Sequence, residues 1–147
     1  MTQRIWNKDP SDRILEWKRF RESLSGILPT AMLQTEELWL QSKPYVPYWL
    51  DPDIKTWPNT WDLVISTKFC DLSRTLGMFY TLYLSEHQRN NVFQIVVGDC
   101  NNRAYNLLYV NDLCLGFQDG KIVKIEDTKE VNITYKYDQN NLEKLFE

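Results

Sequence analysis

The stretch that most constrains the fold is Ser66 to Glu86, STKFCDLSRTLGMFYTLYLSE. From Leu76 onward, Leu76, Phe79, Tyr80, Leu82, Tyr83 and Leu84 cover nearly the whole circle at 3.6 residues per turn. A helix that is apolar all round has to be enclosed by other elements. The spacing therefore predicts one buried central helix over residues 67–86, with Ser66 or Thr67 as its hydroxyl cap. Gly77 lies inside it, where a glycine is about 1 kcal/mol worse than alanine unless a neighbouring backbone or ring comes close.

The elements before this helix read as helical. Asp9-Pro10 supplies a capping acceptor followed by a proline whose missing N–H is not needed in a first turn. Ile14, Trp17, Phe20 or Arg21, Leu24 and Leu28 then follow at helical spacing, and Gly26 and Pro29 are expected to end the helix. Thr30 to Gln41 can hold a second helix through Met32, Leu33, Leu38, Trp39 and Leu40. From Ser42 to Asn59 the pattern changes, with Pro44, Pro47, Pro52 and Pro58 interleaved with Tyr45, Tyr48, Trp49 and Trp57. Prolines this dense forbid a continuous helix and push the preceding residues into extended conformations. An ordered loop wrapped over the core is expected, and the alternative is an aromatic ledge for a partner chain, because Tyr and Trp dominate interface hot spots. Asn59 or Thr60 can cap a short turn through Trp61 into the central helix.

After His87 the period switches from 3.6 to 2. VFQIVV (92–97), RAYNLLYV (103–110), residues 113–117, residues 121–125 and residues 131–137 read as five strands, joined by Asn/Asp/Gly turns. Residues 140–146 end the chain as a short capped helix. Helices first and consecutive hairpins second give an α+β class: an antiparallel meander packed on the central helix, with further helices N-terminal to it. At 147 residues, with no repeat, low-complexity segment or linker, a single domain spanning 1–147 is expected, large enough to bury roughly 68–70% of its unfolded surface.

Composition excludes several function classes. The net charge of −3 gives no overall pull toward nucleic acid. Arg13, Lys18, Arg19 and Arg21 leave a local phosphate-binding face as the minor reading, against a solvated face neutralised by Asp12, Glu16 and Glu22. The three cysteines, Cys70, Cys100 and Cys114, are odd in number and contain no CxxC pair, which argues against a disulfide framework and a zinc site. Glu126-Asp127 and Asp51-Pro52-Asp53 lack the ordered oxygen spacing of a calcium loop, so neither a metal nor a cofactor is expected. GxxxxGK, GxGxxG, HExxH and GxSxG are all absent. The opening MTQRIWNKDPSDR has no apolar signal core, and Leu76 to Leu84 falls far short of the ~20 residues that span a bilayer. The expectation is a protein of the cytosol with no membrane contact.

Cys70 raises the question of catalysis, since a thiol near a helix N-terminus is favoured as thiolate. A nucleophile also needs a base within reach. The single histidine, His87, lies at the far end of the predicted helix, roughly 25 Å away at about 1.5 Å per residue. Cys70 as a small buried apolar residue is therefore the preferred reading. A cysteine at the start of a central helix, after a Trp-containing entry and before a strand meander, resembles the core of transglutaminase-like cysteine enzymes. DLSRTLGMFYTLYL fits that family's helix, and VFQIVV, RAYNLLYV and LCLGF fit its strands. Where the family places its histidine this sequence has Tyr105-Asn106, and the nearest acids are Asp119 and Asp112. The resemblance implies the fold with the base missing. The alternative it leaves is a Cys70-dependent acyl-transfer or hydrolytic enzyme with Tyr105 and Asp119 in the remaining roles.

The SDRILEWKRFRESL opening and the PYVPYWLDP…WP…W stretch also resemble small uncharacterised proteins of contractile-tailed marine cyanophages. That resemblance implies a phage accessory or assembly protein made in the host bacterial cytoplasm, with incorporation into a virion as a further possibility. The reading reached from the sequence is a non-enzymatic interaction protein without a catalytic residue. It contacts another phage or host protein through Tyr45, Tyr48, Trp49, Trp57 and Trp61.

Overall fold

A computed structural model describes the backbone of residues 2–147 and the side chains of residues 5–147. Its elements run α1 (Pro10–Glu22), α2 (Leu28–Leu40), α3 (Thr60–Val64), α4 (Asp71–Tyr83), β1 (Phe93–Cys100), β2 (Arg103–Val110), β3 (Leu113–Leu115), β4 (Val123–Lys124), β5 (Asn132–Tyr137) and α5 (Gln139–Glu143). Helices in the first half and an antiparallel sheet in the second make it an α+β protein. Strand order is β4-β3-β2-β1-β5: the first four strands form the meander, and the fifth crosses to the far edge beside β1.

The central helix is α4, and of its thirteen residues only Asp71 is exposed, with Arg74 intermediate. It is shorter than the periodicity suggests. Residues 66–70 are diverted because the Phe69 backbone pairs with the proline-rich segment: Phe69 N–H donates to Pro44 O (2.9 Å) and Phe69 O accepts from Val46 N–H (2.7 Å). Those groups cannot also join a helical ladder. Ser66 therefore closes a local turn onto Lys68, and Cys70 becomes the N-cap. Ser73 Oγ reaches back to accept the Cys70 N–H at 2.7 Å, the reciprocal arm of a capping box.

α2 and α3 pack on one side of α4, and β1 and β2 on the other. The contact with α2 explains Gly77: a Cβ there would lie 2.5 Å from the Trp39 indole. One turn later, Thr81 Oγ1 accepts from Trp39 Nε1 (2.8 Å) and Trp17 Nε1 (3.0 Å) and donates to Gly77 O (2.7 Å). All three side chains are fully buried. Pro29 opens α2 in place of closing α1, which already stops at Glu22. This is the first-turn position proline favours.

The sheet has a core on both faces. Phe93, Ile95, Leu108 and Val110 join the helical core, while Val96, Leu107, Tyr109, Cys114 and Val131 form a smaller cluster behind. Asn101 and Asn102, at φ 52° and 65°, make the tight β1–β2 turn. At Gly98 a bulge shifts the register with β5, and a Cβ would sit 2.3 Å from Asn132 O. Beyond the bulge the alternation expected of β5 does not bury its apolar set: Ile133 and Tyr135 are exposed and only Tyr137 is enclosed. Phe146 then folds back to stack on Tyr83, ring centroids 5.0 Å apart.

The shared hydroxyl yields a stability test. Thr81→Val strips two buried indole N–H groups of their acceptor and is expected to destabilise by about 2–5 kcal/mol in urea unfolding. Thr81→Ser keeps the oxygen and loses a methyl, about 1 kcal/mol. Equal losses for the two variants would show that the hydrogen bonds contribute nothing.

Candidate functional site

Cys70 and His87 stand at opposite ends of α4. Cys70 is 3% exposed and belongs to the helical core. His87 follows the last turn of α4 and is itself buried, its Nε2 bonded to Leu24 O at 2.8 Å. The thirteen residues of α4 that lie between them span roughly 20 Å of helix. The histidine is a structural tie between the end of α1 and the end of α4.

The other two residues of the enzymatic alternative, Tyr105 and Asp119, both line a cleft of about 200 Å³ beside the first half of α4. α4 contributes Asp71, Arg74, Thr75 and Met78, β2 contributes residues 103–106, and the turn after β3 contributes Gly116 and Asp119. Cys70 is not part of its wall. Tyr105 stacks on Phe117 at 5.2 Å with the Arg103 guanidinium 5.0 Å above its ring, so the tyrosine serves as a packing surface. The three residues therefore do not form a nucleophile and base in contact, and the Cys70–Tyr105–Asp119 set is corrected to two cleft residues and one core residue.

The cleft contains a residue the sequence reading missed. Glu36 of α2 is 1% exposed and lines the cleft. Its Oε1 accepts the Gly120 N–H at 2.9 Å, pulling the β3–β4 turn onto α2, and its Oε2 is buried without a hydrogen-bond partner. Burial pushes its carboxyl up from the ordinary value of 4.5; the Gly120 N–H opposes this and Asp119 adds to it. The signal was present in the periodicity, since Glu36 lies four residues after Met32 and three before Trp39, on the face that α2 buries. Above the cleft, Arg74 is held by Ser42 through Nε (3.0 Å) and Nη2 (2.9 Å) and lies 4.6 Å over the Tyr45 ring.

The proline-aromatic segment divides in two. Its second half is wrapped on the core: Trp57 Nε1 donates to Asp51 O (2.7 Å), Tyr80 OH to Pro58 O (2.7 Å) and Tyr137 OH to Pro52 O. Trp57 is 6% exposed and packs on Tyr137, which removes it from the expected contact set. The first half faces outward. Tyr48 is 98% exposed, Tyr45 46%, and Trp49 is half-buried with Lys68 Nζ 5.7 Å over its ring. Trp61, 46% exposed on α3, packs edge-on against Trp17.

The basic face of α1 is largely consumed internally. Arg13 donates to Val64 O, Ser66 O and Trp6 O, and Arg21 donates to Leu84 O at the end of α4 while lying over Trp17. Arg19 pairs with Glu16. The phosphate-binding reading loses Arg13 and Arg21 and keeps only the exposed Lys18 and Arg19. Among the described residues, no three His, Cys, Asp or Glu side chains converge as a metal site, and no helix is long and apolar enough to cross a membrane.

Two measurements check this geometry. Burial pushes the Cys114 thiol up to about 12, whereas Cys100 is only half-buried. Iodoacetamide at neutral pH is expected to label Cys100 at least about tenfold faster than Cys70 or Cys114; Cys70 labelling first would restore it as a nucleophile. A carboxyl raised on folding contributes stability that is present below its ordinary pKa and lost as pH rises through the folded value. Glu36→Gln retains the acceptor for Gly120 without this loss. It should be more stable than the wild type at pH 7 and show no such advantage near pH 3.5, as read from urea midpoints. Compared with known proteins, the chain matches no family model, no curated protein and no solved structure.

Proposed function

We propose that the protein is a non-enzymatic interaction protein that engages a partner protein through the outward half of its proline-aromatic segment, Tyr45, Tyr48 and Trp49. The observation that carries this reading is Tyr48, a large amphipathic ring 98% exposed on an ordered loop. The backbone bonds of Phe69 to Pro44 and Val46 fix the base of the loop. The ring is thus presented at small further entropic cost, and tyrosine is among the residues that dominate interface energetics. Lys68 over Trp49 and Arg74 over Tyr45 border the aromatic surface with positive charge, which suits a partner surface of acidic and apolar side chains.

The scaffold we propose is transglutaminase-like without the base. A cysteine caps the central helix, and β2 crosses that helix where Thr75 Oγ1 meets Asn106 O at 3.3 Å, at the level where the family carries its histidine. A buried sulfur and a histidine tied to Leu24 favour binding over acyl transfer. The cyanophage resemblance points to a phage or host protein as the partner.

Photocrosslinking tests the assignment. p-Benzoylphenylalanine placed at position 48, in the cells that make the protein, is expected to yield a discrete adduct. Excess wild-type protein should compete it away, and Tyr48→Ala protein should not. The control is the same residue at position 27, where Ile27 is 68% exposed but lies on no aromatic surface of this kind. Equal adducts at 27 and 48, or competition by the alanine variant, would refute the assignment.

A further inference from the structure

We infer that the Glu36 cleft is a second, separate site that binds a small organic cation, holding a charged N–H donor on the free oxygen of the Glu36 carboxylate. Glu36 is 1% exposed, and Gly120 N–H satisfies only one of its oxygens. The other is buried, unpartnered, and belongs to a side chain on the cleft wall. A carboxylate oxygen in that position lacks the donor that buried polar groups almost always have. Among the described residues no protein group supplies one, and the donor we infer enters from the cleft that Glu36 lines.

Charge selects the ligand class. The cleft carries three carboxylates, Glu36, Asp71 and Asp119, against two guanidiniums, Arg74 and Arg103. Arg74 lies 4.0 Å from Asp71, bonds Ser42 and stacks on Tyr45, and Arg103 lies over Tyr105. What remains is net negative, which concentrates small cations and disfavours phosphates and carboxylates. Burial and Asp119 both work against a free Glu36 anion, and a cation at Oε2 relieves both.

Size narrows the class. The cleft, about 200 Å³ and open to solvent on one side, has room for a small organic solute. Leu40 and Met78 supply apolar wall for a short alkyl stem. A short alkylammonium or alkylguanidinium fits this wall, with its stem on Leu40 and Met78 and its N–H group on Glu36. The two share the chemistry of a charged N–H group, and the titration below tells them apart.

The test is a ¹H–¹⁵N NMR titration of the full chain at constant ionic strength, following the Gly120 amide, with n-propylammonium, methylguanidinium and tetramethylammonium. The first two carry N–H donors and the third does not. Saturable movement of Gly120 is expected for at least one N–H cation, with a Kd on the order of 1 mM, and the tighter of the two names the donor. Glu36→Gln, which keeps the Gly120 acceptor, is expected to weaken binding by about tenfold or more, and Asp119→Asn by about two- to threefold. A non-saturating shift, an equal response to tetramethylammonium, or unchanged affinity in Glu36→Gln would overturn the site. Tyr48→Ala should leave the titration unaltered, so this site and the Tyr48 surface stand or fall separately.

Discussion

One threonine hydroxyl ties two helices to the central one. Thr81 Oγ1 accepts a hydrogen bond from the indole N–H of Trp17 on α1 and another from that of Trp39 on α2, and donates its own to Gly77 O. Indole nitrogens only donate, and two of them buried in an apolar core need an acceptor whose lone pairs point both ways. A hydroxyl already tied to the preceding turn meets that need. The absent side chain at Gly77 makes the arrangement possible, since any Cβ there would strike the Trp39 ring. Donor direction and ring volume together therefore specify where two helices cross the third, more narrowly than apolar burial alone could.

Around this centre, arginines act as stitches. Arg13, Arg21 and Arg74 each aim N–H groups at backbone carbonyls, or at Ser42, on an element distant in sequence. Arg21 meets the carbonyl end of α4, where a positive charge also complements the helix dipole. This use of cationic side chains has a functional consequence. Of the four basic residues along α1, two are drawn inward as stitches and only Lys18 and Arg19 stay exposed.

The parts of the fold legible in the sequence were those set by neighbours in the chain. The all-round apolar run announced a buried helix, and the asparagine pairs announced hairpins, because helical period and left-handed turn residues act over a few positions. The start of α4 was misread because Phe69 pairs with Val46 and Pro44, a competition that local spacing cannot reveal. Composition groups Trp57 with the outward Tyr48 and Trp49, whereas the nearby Asp51 O and the distant Tyr137 ring hold it against the core. Glu36 is the instructive case. Its place on the Met32–Trp39 face was readable, yet a glutamate is assumed to be solvated unless the fold supplies a reason to bury it.

The ring of Phe146 lies on Tyr83 and also approaches Phe79 and Tyr80, while Glu143 accepts from the Tyr83 hydroxyl. The rod at the centre of the molecule is thus roofed by residues some sixty positions downstream. During synthesis the three N-terminal helices and the first hairpins emerge well before that roof, leaving an aromatic face of the nascent chain open to water and to chaperones. The aromatic face of α4 is consequently closed only after α5 and Phe146 have been added to the chain.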